Sequence, residues 1–245
     1  MKGIILSGGR GSRLYPLTLG VSKQLMPVYK QPMIYYPLKT LIDMGIDDIL
    51  MIVSSSKQLE IFKEYLNDGK DYGVNIQYII QEEPKGLPEA FTLGEKFIGD
   101  DDVTLILGDN VLLLNNIIDP STNTIFTYKV KNPSAYGVVK TDQDGKLDQI
   151  IEKPKEFISD KAVVGLYVFT KTAIEIAKTL KPSNRKELEI VDLIWELNKR
   201  EGVKVSELDG FWFDCGTHDD LLECAEFVRA LDKRSNCDIL LKKYE

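Results

Sequence analysis

Short apolar runs alternate with longer amphipathic segments through the first half of the chain. The runs rich in Ile, Leu and Val have the length of strands, and the segments between them repeat their apolar residues at helical spacing. The predicted strands are Lys2–Ser7, Asp48–Ser54, Val74–Ile80 and Asp102–Gly108, and the predicted helices lie near Pro32–Met44, Lys57–Leu66 and Leu87–Ile98. This alternation indicates βαβ units around a mixed, mostly parallel sheet, an α/β fold of the Rossmann-like kind with helices on its faces.

The second half of the chain has a higher share of predicted strands. The pattern predicts strands at Thr124–Val130, Tyr136–Lys140, Lys146–Ile151, Val163–Phe169 and Val203–Glu207, and helices at Lys171–Leu180 and Lys186–Arg200. A last helix is predicted from Thr217, which forms a capping-box-like T-x-x-D pattern with Asp220. Because no repeat or linker interrupts the chain, we expect residues 1–245 to form a single domain with a β-rich insertion.

Charge and composition exclude several classes of protein. The formal net charge of −7 argues against a nucleic-acid-binding protein, which would carry a basic face. No apolar run approaches the ~18 residues of a membrane span, so we expect no membrane association. The three cysteines, Cys215, Cys224 and Cys237, form an odd set without metal-like spacing, which favours a reducing cytoplasm. Any phosphate site in so acidic a chain must be built locally from amides, a few cations and a metal.

A glycine-rich turn follows the first predicted strand. It reads L-S-G-G-R-G-S-R-L from Leu6 to Leu14 and carries Arg10 and Arg13, with Lys23 following. Glycines let the backbone approach an anion closely, and an arginine can donate a bidentate pair to phosphate oxygens. The turn does not match the dinucleotide fingerprint or the P-loop, since the third glycine of the fingerprint would fall on Leu14. The pattern predicts a phosphate-binding loop, with a tight turn carrying solvated arginines as the alternative.

Two aspartates follow predicted strands at their carboxyl ends. Asp109 comes directly after the most apolar strand of the first half, and Asp214 ends the aromatic run Gly210–Phe213. Ligands of open α/β sheets bind at the carboxyl ends of strands, and carboxylates are the usual protein ligands of Mg²⁺ near phosphates. We therefore interpret Asp109 and Asp214 as candidate metal ligands, although either could be a simple turn residue.

The remaining polar clusters are less specific. His218 is the sole histidine and lies at a predicted helix start, so we expect no role as a general base. Glu152 and Lys153 end a strand as a carboxylate beside a cation. The segment Arg185–Glu189 is predicted to open a helix, whose N-terminal end would favour anions. Each of these segments could equally be solvated and charged, and the basic tail Lys242–Lys243 is given no function.

Taken in order, these segments resemble the sugar-nucleotidyltransferase family, and closely the glucose-1-phosphate thymidylyltransferases of the rhamnose pathway. The matching segments are G-G-R-G-S-R-L-Y-P-L-T, S-K-Q-L-M-P-V, P-M-I-Y-Y-P-L, L-G-D-N, Y-G-V-V, E-K-P, V-V-G-L-Y, E-L-E-I-V-D and W-F-D-C-G-T-H, and they extend from Gly8 to His218. The resemblance implies a Rossmann-like nucleotide-binding core with inserted sugar-binding strands. It also implies transfer of a thymidylyl group from dTTP to glucose 1-phosphate by a single in-line displacement.

The same resemblance implies a role for each matching residue. Residues 1–110 would bind mainly the nucleotide and residues 111–245 mainly the sugar. Arg13 and Lys23 would act on the triphosphate, and Asp109 and Asp214 would hold Mg²⁺. The nucleotide-binding residues would be Leu6, Gly8, Gly9, Gly11, Ser12, Gln24, Gln81 and Gly86. The sugar-phosphate-binding residues would be Tyr136, Gly137, Glu152, Lys153, Val163, Arg185, Glu187 and Trp212.

The sequence departs from the family pattern at a few places. The loop reads G-S-R where G-T-R is commoner, and Val111–Leu114 replaces the usual I-F-Y-G after Asn110. The chain also stops short of the longer members, so we expect no feedback site for a dTDP-sugar, and we expect a homo-oligomer, either a dimer or a tetramer. The alternatives left open are UTP or another hexose 1-phosphate as substrate, and a nucleotide-binding homologue without turnover. An NAD-dependent oxidoreductase is ranked last.

Overall fold

A computed structural model of the chain describes residues 1–9, 11–116, 118 and 123–234. The strands are β1 Lys2–Ser7, β2 Pro27–Val28, β3 Gln31–Pro32, β4 Asp48–Val53, β5 Asn75–Ile80, β6 Val103–Leu107, β7 Asn110–Leu114, β8 Thr124–Lys129, β9 Gly137–Thr141, β10 Leu147–Glu152, β11 Lys161–Phe169, β12 Lys204–Glu207 and β13 Gly210–Asp214. The α-helices are α1 Tyr35–Asp43, α2 Ser56–Leu66, α3 Glu89–Leu93, α4 Glu95–Ile98, α5 Thr172–Thr179, α6 Ile190–Glu201 and α7 His218–Arg234. Arg10, Cys237 and Lys242–Lys243 lie outside the described residues.

The main sheet has nine strands and confirms the predicted mixed, mostly parallel α/β architecture. Its path runs β10-β9-β11-β6-β1-β4-β5, while β8 pairs with β11 and β12. The β4–β5 pair is parallel and in continuous register from Asp48 opposite Asn75 to Val53 opposite Ile80. The β9–β10 and β8–β11 pairs are antiparallel, as expected for an inserted β-rich region. Two small ribbons, β7–β13 and β2–β3, complete the strands of the described chain.

The chain divides into two compact units of interleaved segments. Unit 1 comprises residues 1–4, 83–105 and the described part of 119–209, and unit 2 comprises residues 5–82 and the described parts of 106–118 and 210–245. In unit 1, Phe91 packs on Phe169 with ring centroids 5.8 Å apart. The core of unit 2 contains Tyr36, whose hydroxyl donates to the carbonyl of Val28 at 2.9 Å. The prediction of one domain with a nucleotide half and a sugar half stays a prediction.

The predicted elements agree with the structure within a residue or two at most ends, with four differences. The helix predicted at Leu87–Ile98 is two short helices, because Gly94 interrupts it. The prediction that the next-to-last helix begins at Lys186 was wrong, since α6 begins at Ile190. Lys186 has a left-handed φ of 63°, and Leu188 forms a bridge with Gly86, so this segment cannot continue a helix. The β2–β3 hairpin and strand β7 were missed.

The N-terminus of α7 is capped as the sequence pattern predicts. The hydroxyl of Thr217 donates to the Asp220 carboxylate at 2.5 Å, and the amide of Asp220 donates to the Thr217 hydroxyl at 3.2 Å. This satisfies an otherwise free amide in the first turn of α7. No helix within the described residues is both long and apolar enough to cross a membrane.

Candidate active site

The glycines of the loop after β1 are half-buried and lie against the buried side-chain amides of Gln24 and Gln81. Gly9 and Gly11 have left-handed φ angles of 92° and 60°, which only glycine adopts without strain. A Cβ on Gly8 would lie 2.5 Å from the Gln81 side-chain oxygen, so the base-reading candidate Gln81 lies directly against the loop. Gln24, only 1% exposed, donates to the Gly8 carbonyl at 3.4 Å. Its own oxygen accepts from the Ser22 hydroxyl at 2.5 Å. The sequence analysis gave Gln24 no specific contact, and the structure shows that its side chain supports the glycine loop.

Asp109 lies beside this loop because the preceding residue, Gly108, packs closely against β1. The Gly108 amide donates to the Leu6 carbonyl at 2.9 Å, and a Cβ on Gly108 would lie 2.6 Å from the Ser7 hydroxyl. The ammonium of Lys23 forms a hydrogen-bonded ion pair with Asp109. The two side chains are only 15% and 11% exposed, and a pair so shielded from water interacts more strongly than a surface pair. The structure thus brings Lys23 and Asp109 into direct contact, a pairing that the sequence analysis did not predict.

The β7–β13 ribbon places Asp214 next to Asp109. Asp214 lies opposite Asn110 in the ribbon, and the amide of Cys215 donates to the Asp109 carbonyl at 3.0 Å. The indole of Trp212 donates to the Asn110 side-chain oxygen at 2.7 Å, and the Asn110 amide donates to the Asp109 carboxylate at 3.2 Å. This chain of bonds orients Asp109. Sequence reasoning missed Asn110, although its position directly after the aspartate was the available signal.

Arg13 completes this group of charges. Gly216 lies under the Arg13 guanidinium, because a Cβ there would be 2.9 Å from its central carbon. Burial and the neighbouring Asp109 carboxylate raise the pKa of Asp214 to about 6, while Arg13 and Lys23 act in the opposite direction. Two cations and two carboxylates therefore share one edge of unit 2 beside the glycine loop. Such a group can bind a polyanion together with a cation that relieves the repulsion between the carboxylates.

The donor set fits a divalent magnesium ion. Asp109 and Asp214 supply hard carboxylate oxygens, and burial together with the charge of Asp109 raises the pKa of Asp214. The described residues include no cluster of three or more His, Cys, Asp or Glu side chains that could hold a metal alone. Mg²⁺ typically uses one or two carboxylates and takes its remaining ligands from phosphates and water. The pair therefore fits an ion that arrives with a triphosphate.

A second group of the sequence-predicted residues lies in unit 1, around Gly137. Gly137 pairs with Glu152 across β9–β10. A Cβ at position 137 would lie 3.2 Å from the Glu152 carboxylate, 3.2 Å from Val191 and 3.8 Å from Val163. The backbone at Gly137 is therefore closely surrounded by one carboxylate and two apolar groups, and a larger residue there would displace them. Burial raises the pKa of Glu152, against the opposing charges of Arg185 and Lys153.

Four more predicted residues lie around Gly137 and Glu152. Lys153 has a left-handed φ of 47°, and its amide donates to the Tyr136 carbonyl at 2.9 Å. Arg185 donates to Glu152 at 3.2 Å, and Glu187 lies 4.0 Å from the Arg185 guanidinium. The prediction that Arg185–Glu189 opens a helix was wrong, because α6 begins at Ile190 and Glu189 is its N-cap residue. The cationic side chain of Arg185 remains a candidate group for binding an anion.

Gly86 joins two loops of unit 1. It has a φ of 114° and forms a parallel bridge with Leu188. A Cβ on Gly86 would lie 2.7 Å from the Leu188 amide nitrogen, so only glycine fits. The Leu188 amide donates to the Lys85 carbonyl at 2.7 Å. The loop assigned to the base by resemblance is therefore bonded to the segment that carries Arg185 and Glu187.

Comparison with known proteins decides the family. The sequence profile described as nucleotidyl transferase matches residues 2–230. The chain belongs to the nucleotidyl transferase family.

Relatives of this nucleotidyl transferase share most of its length. A glucose-1-phosphate thymidylyltransferase of Mycolicibacterium smegmatis is 46% identical over 98% of this chain and 86% of its own. A protein of the same name from Neisseria meningitidis is 47% identical over the same shares of the two chains. These matches extend over both units.

Solved structures agree with the fold. A structure from Bacillus anthracis, assigned to the glucose-1-phosphate thymidylyltransferases and holding sucrose, superposes with a TM-score of 0.86. It is 36% identical and covers 97% of each chain. A UDP-glucose pyrophosphorylase structure with UDP-glucose has a TM-score of 0.82 at 22% identity, a similarity that concerns the fold alone.

The sole histidine of this nucleotidyl transferase, His218, lies at an exposed helix start. His218 is the first residue of α7 and its side chain is exposed. Because a phosphate nucleophile needs no base near neutral pH, we expect His218→Ala to keep kcat/KM within about threefold of wild type. Steady-state rates of pyrophosphate release measure this. A large loss of rate with an unchanged melting temperature would contradict the base-free chemistry.

The raised pKa of Asp214 predicts a pH-dependent stability. Its pKa rises from 3.8 to about 6 on folding, so the native state holds this proton more tightly than the unfolded chain. Its contribution to the stability of the metal-free protein therefore increases as the pH falls from about 6 to about 4. In a chelator, Asp214→Asn should raise the melting temperature at pH 8, and the difference from wild type should vanish near pH 4. An equal difference at both pH values would contradict the assignment.

Proposed function

We propose that this protein transfers a thymidylyl group from dTTP to α-D-glucose 1-phosphate, giving dTDP-glucose and pyrophosphate. The observation that carries the proposal is the group formed by Asp109, Asp214, Lys23 and Arg13 beside the glycine loop. Relatives with 46% and 47% identity named glucose-1-phosphate thymidylyltransferase support the choice of substrates. The chain's likeness to them extends over 98% of its length, so the substrates are proposed for the whole chain.

The chemistry is a single displacement at the α-phosphorus. An oxygen of the sugar phosphate forms the new P–O bond, the bond to the β-phosphate breaks, and pyrophosphate leaves with the electron pair. The second ionisation of a phosphate monoester lies near pH 6, so the nucleophile is already charged at neutral pH. Catalysis then requires positioning and stabilisation of negative charge rather than proton abstraction.

Unit 2 supplies the groups for the triphosphate. Lys23 and Arg13 would bind its oxygens and stabilise the negative charge that grows during transfer. The amides of Gly8, Gly9, Gly11 and Ser12 can donate to phosphate, and Leu6 would line the nucleotide. Gln81, which lies against Gly8, would read the pyrimidine base, with Gly86 in the base-reading loop. Lys23 pairs with Asp109 before substrate binds, so it is held near its proposed position.

The proposed cofactor is Mg²⁺, held by Asp109 and Asp214. Nucleotidyl transferases in general use a divalent metal, and the two carboxylates fit one. When bound, the ion would neutralise phosphate charge and act as a Lewis acid. The network of Trp212 and Asn110 would keep Asp109 oriented toward it, in the way that outer hydrogen bonds support metal ligands.

Unit 1 supplies the groups for the sugar phosphate. Glu152 would accept hydrogen bonds from sugar hydroxyls, with Gly137 and Val163 beside the sugar ring. Lys153 and Arg185 would bind the phosphate, with Tyr136 and Glu187 adjoining. Each of these roles rests on the family resemblance and on the contacts that bring the residues together.

The test is pyrophosphate release across a matrix of nucleoside triphosphates and sugar 1-phosphates, with and without Mg²⁺. We expect the highest kcat/KM for dTTP with glucose 1-phosphate and no turnover in a chelator. A higher value for UTP or for another hexose 1-phosphate would replace the proposed substrates. Absence of release with every pair would instead indicate a nucleotide-binding homologue without turnover.

We also propose a cytoplasmic, homo-oligomeric protein without nucleic-acid or membrane partners. The two cysteines in the described part of the chain, Cys215 and Cys224, are buried and free, which fits a reducing compartment. Light scattering of the purified protein would give the number of subunits, and a monomer would overturn the oligomer.

A further inference from the structure

Glu189 is a buried carboxylate that the family resemblance leaves without a role. It directly precedes α6, and its side chain is only 10% exposed. Its two oxygens accept three hydrogen bonds, from Arg185 Nε at 3.0 Å, from Arg185 Nη2 at 2.6 Å and from the Ser183 hydroxyl at 2.5 Å. Burial alone would raise the pKa of Glu189, but the bonds from Arg185 and Ser183 lower it. Glu189 is therefore an ionised anchor.

The anchor fixes the orientation of Arg185. Two parallel N–H···O bonds to one carboxylate define the plane of a guanidinium as well as its position. Arg185 also donates one longer bond, of 3.2 Å, to Glu152. Its Nη1 atom has no hydrogen-bond partner within the described chain, and the side chain is 39% exposed. The pair with Glu189 therefore leaves one edge of the guanidinium free to bind an anion.

The segment that carries Glu189 is itself fixed. The Ser183 amide donates to the Glu187 carbonyl and the Lys186 amide to the Ser183 carbonyl, both at 2.8 Å. The Leu188 amide donates to the Lys85 carbonyl at 2.7 Å. A carboxylate on so restrained a segment can hold a long, flexible arginine side chain in one conformation, which lowers the entropy lost on binding a ligand.

We propose that Glu189 is a positioning residue that holds Arg185 with its free edge available to the phosphate of the sugar 1-phosphate. The inference rests on the proposed function, since it assumes that substrate. Loss of the Glu189 charge would leave Arg185 mobile and more strongly drawn to Glu152 and Glu187. Both effects weaken binding of the sugar phosphate and leave binding of the nucleoside triphosphate unchanged.

The test compares Glu189→Gln with the control Glu196→Gln. Glu196 forms a surface ion pair with Lys199, and both residues lie in α6. We expect Glu189→Gln to raise the KM for glucose 1-phosphate about tenfold, the size of one charged hydrogen bond. The KM for dTTP and the Glu196→Gln values should stay within about twofold of wild type. Calorimetric titration of glucose 1-phosphate should show the same loss of affinity without turnover.

A double-substitution cycle separates positioning from support of the fold. If Glu189 acts through Arg185, the variant with both Glu189→Gln and Arg185→Ala should bind glucose 1-phosphate as weakly as Arg185→Ala alone. Additive losses, or equal changes in the two KM values, would overturn the proposal. Should Glu189→Gln not fold, Ser183→Ala removes the hydroxyl that donates to Glu189 and should raise the same KM to a smaller degree. Failure of the proposed function is distinguishable, because wild type itself would then release no pyrophosphate.

Discussion

Substitution of Asp109 by Asn is expected to lower kcat/KM by about a thousandfold or more, because the metal would lose a charged ligand at the reacting phosphates. Asn keeps the size of the side chain and an oxygen acceptor for the Asn110 amide. The substitution removes the negative charge of Asp109, which pairs with Lys23. The same charge contributes to the raised pKa of Asp214. The fold should therefore survive, and relief of the repulsion between the carboxylates would offset part of the lost ion pair.

Pyrophosphate release as a function of Mg²⁺ concentration checks this expectation, together with a melting curve. Asp43→Asn is the matched control, since Asp43 pairs with Lys39 on an exposed face of α1. The control should retain wild-type kinetics. Near-normal turnover of Asp109→Asn with a native melting curve would remove Asp109 from the metal site.

Substitution of Lys23 by Ala is expected to lower kcat/KM by about a thousandfold, the scale on which cations stabilise phosphoryl-transfer transition states. The ammonium is only 15% exposed and is held by Asp109, so it interacts with a bound phosphate through little water. Loss of kcat should exceed the rise in the KM for dTTP, because the negative charge grows in the transition state. Lys39→Ala serves as the control on the surface of α1. An unchanged kcat/KM would show that Lys23 serves only to neutralise Asp109.

The parts of the fold that the sequence predicted are those whose pattern is local. β1, β4 and β6 lie in uninterrupted apolar runs, and burial on both faces requires such runs. The cap of α7 follows from Thr217 and Asp220, which are three residues apart. Asp109 was found as a candidate because it directly follows an apolar strand in a parallel sheet.

The parts that the sequence did not predict depend on distant contacts. The start of α6 was predicted too early because Leu188 pairs with Gly86. Helical propensity depends on local sequence alone, so it does not take such a distant contact into account. Asn110 was missed because its role requires Trp212, which lies far along the chain and approaches it only through the β7–β13 ribbon. Glu189 belonged to a recognised motif, but only the structure shows that it holds Arg185.

Transfer of the thymidylyl group from dTTP to glucose 1-phosphate in one displacement can be followed directly with a label. The wild-type protein is incubated with Mg²⁺, glucose 1-phosphate and dTTP labelled with ³²P at the α-phosphorus. We expect the label to appear in dTDP-glucose, in amounts equal to the pyrophosphate released, and neither product to form when the sugar phosphate is omitted. Label that stays in dTTP or appears as dTMP, or pyrophosphate released without the sugar phosphate, would contradict it.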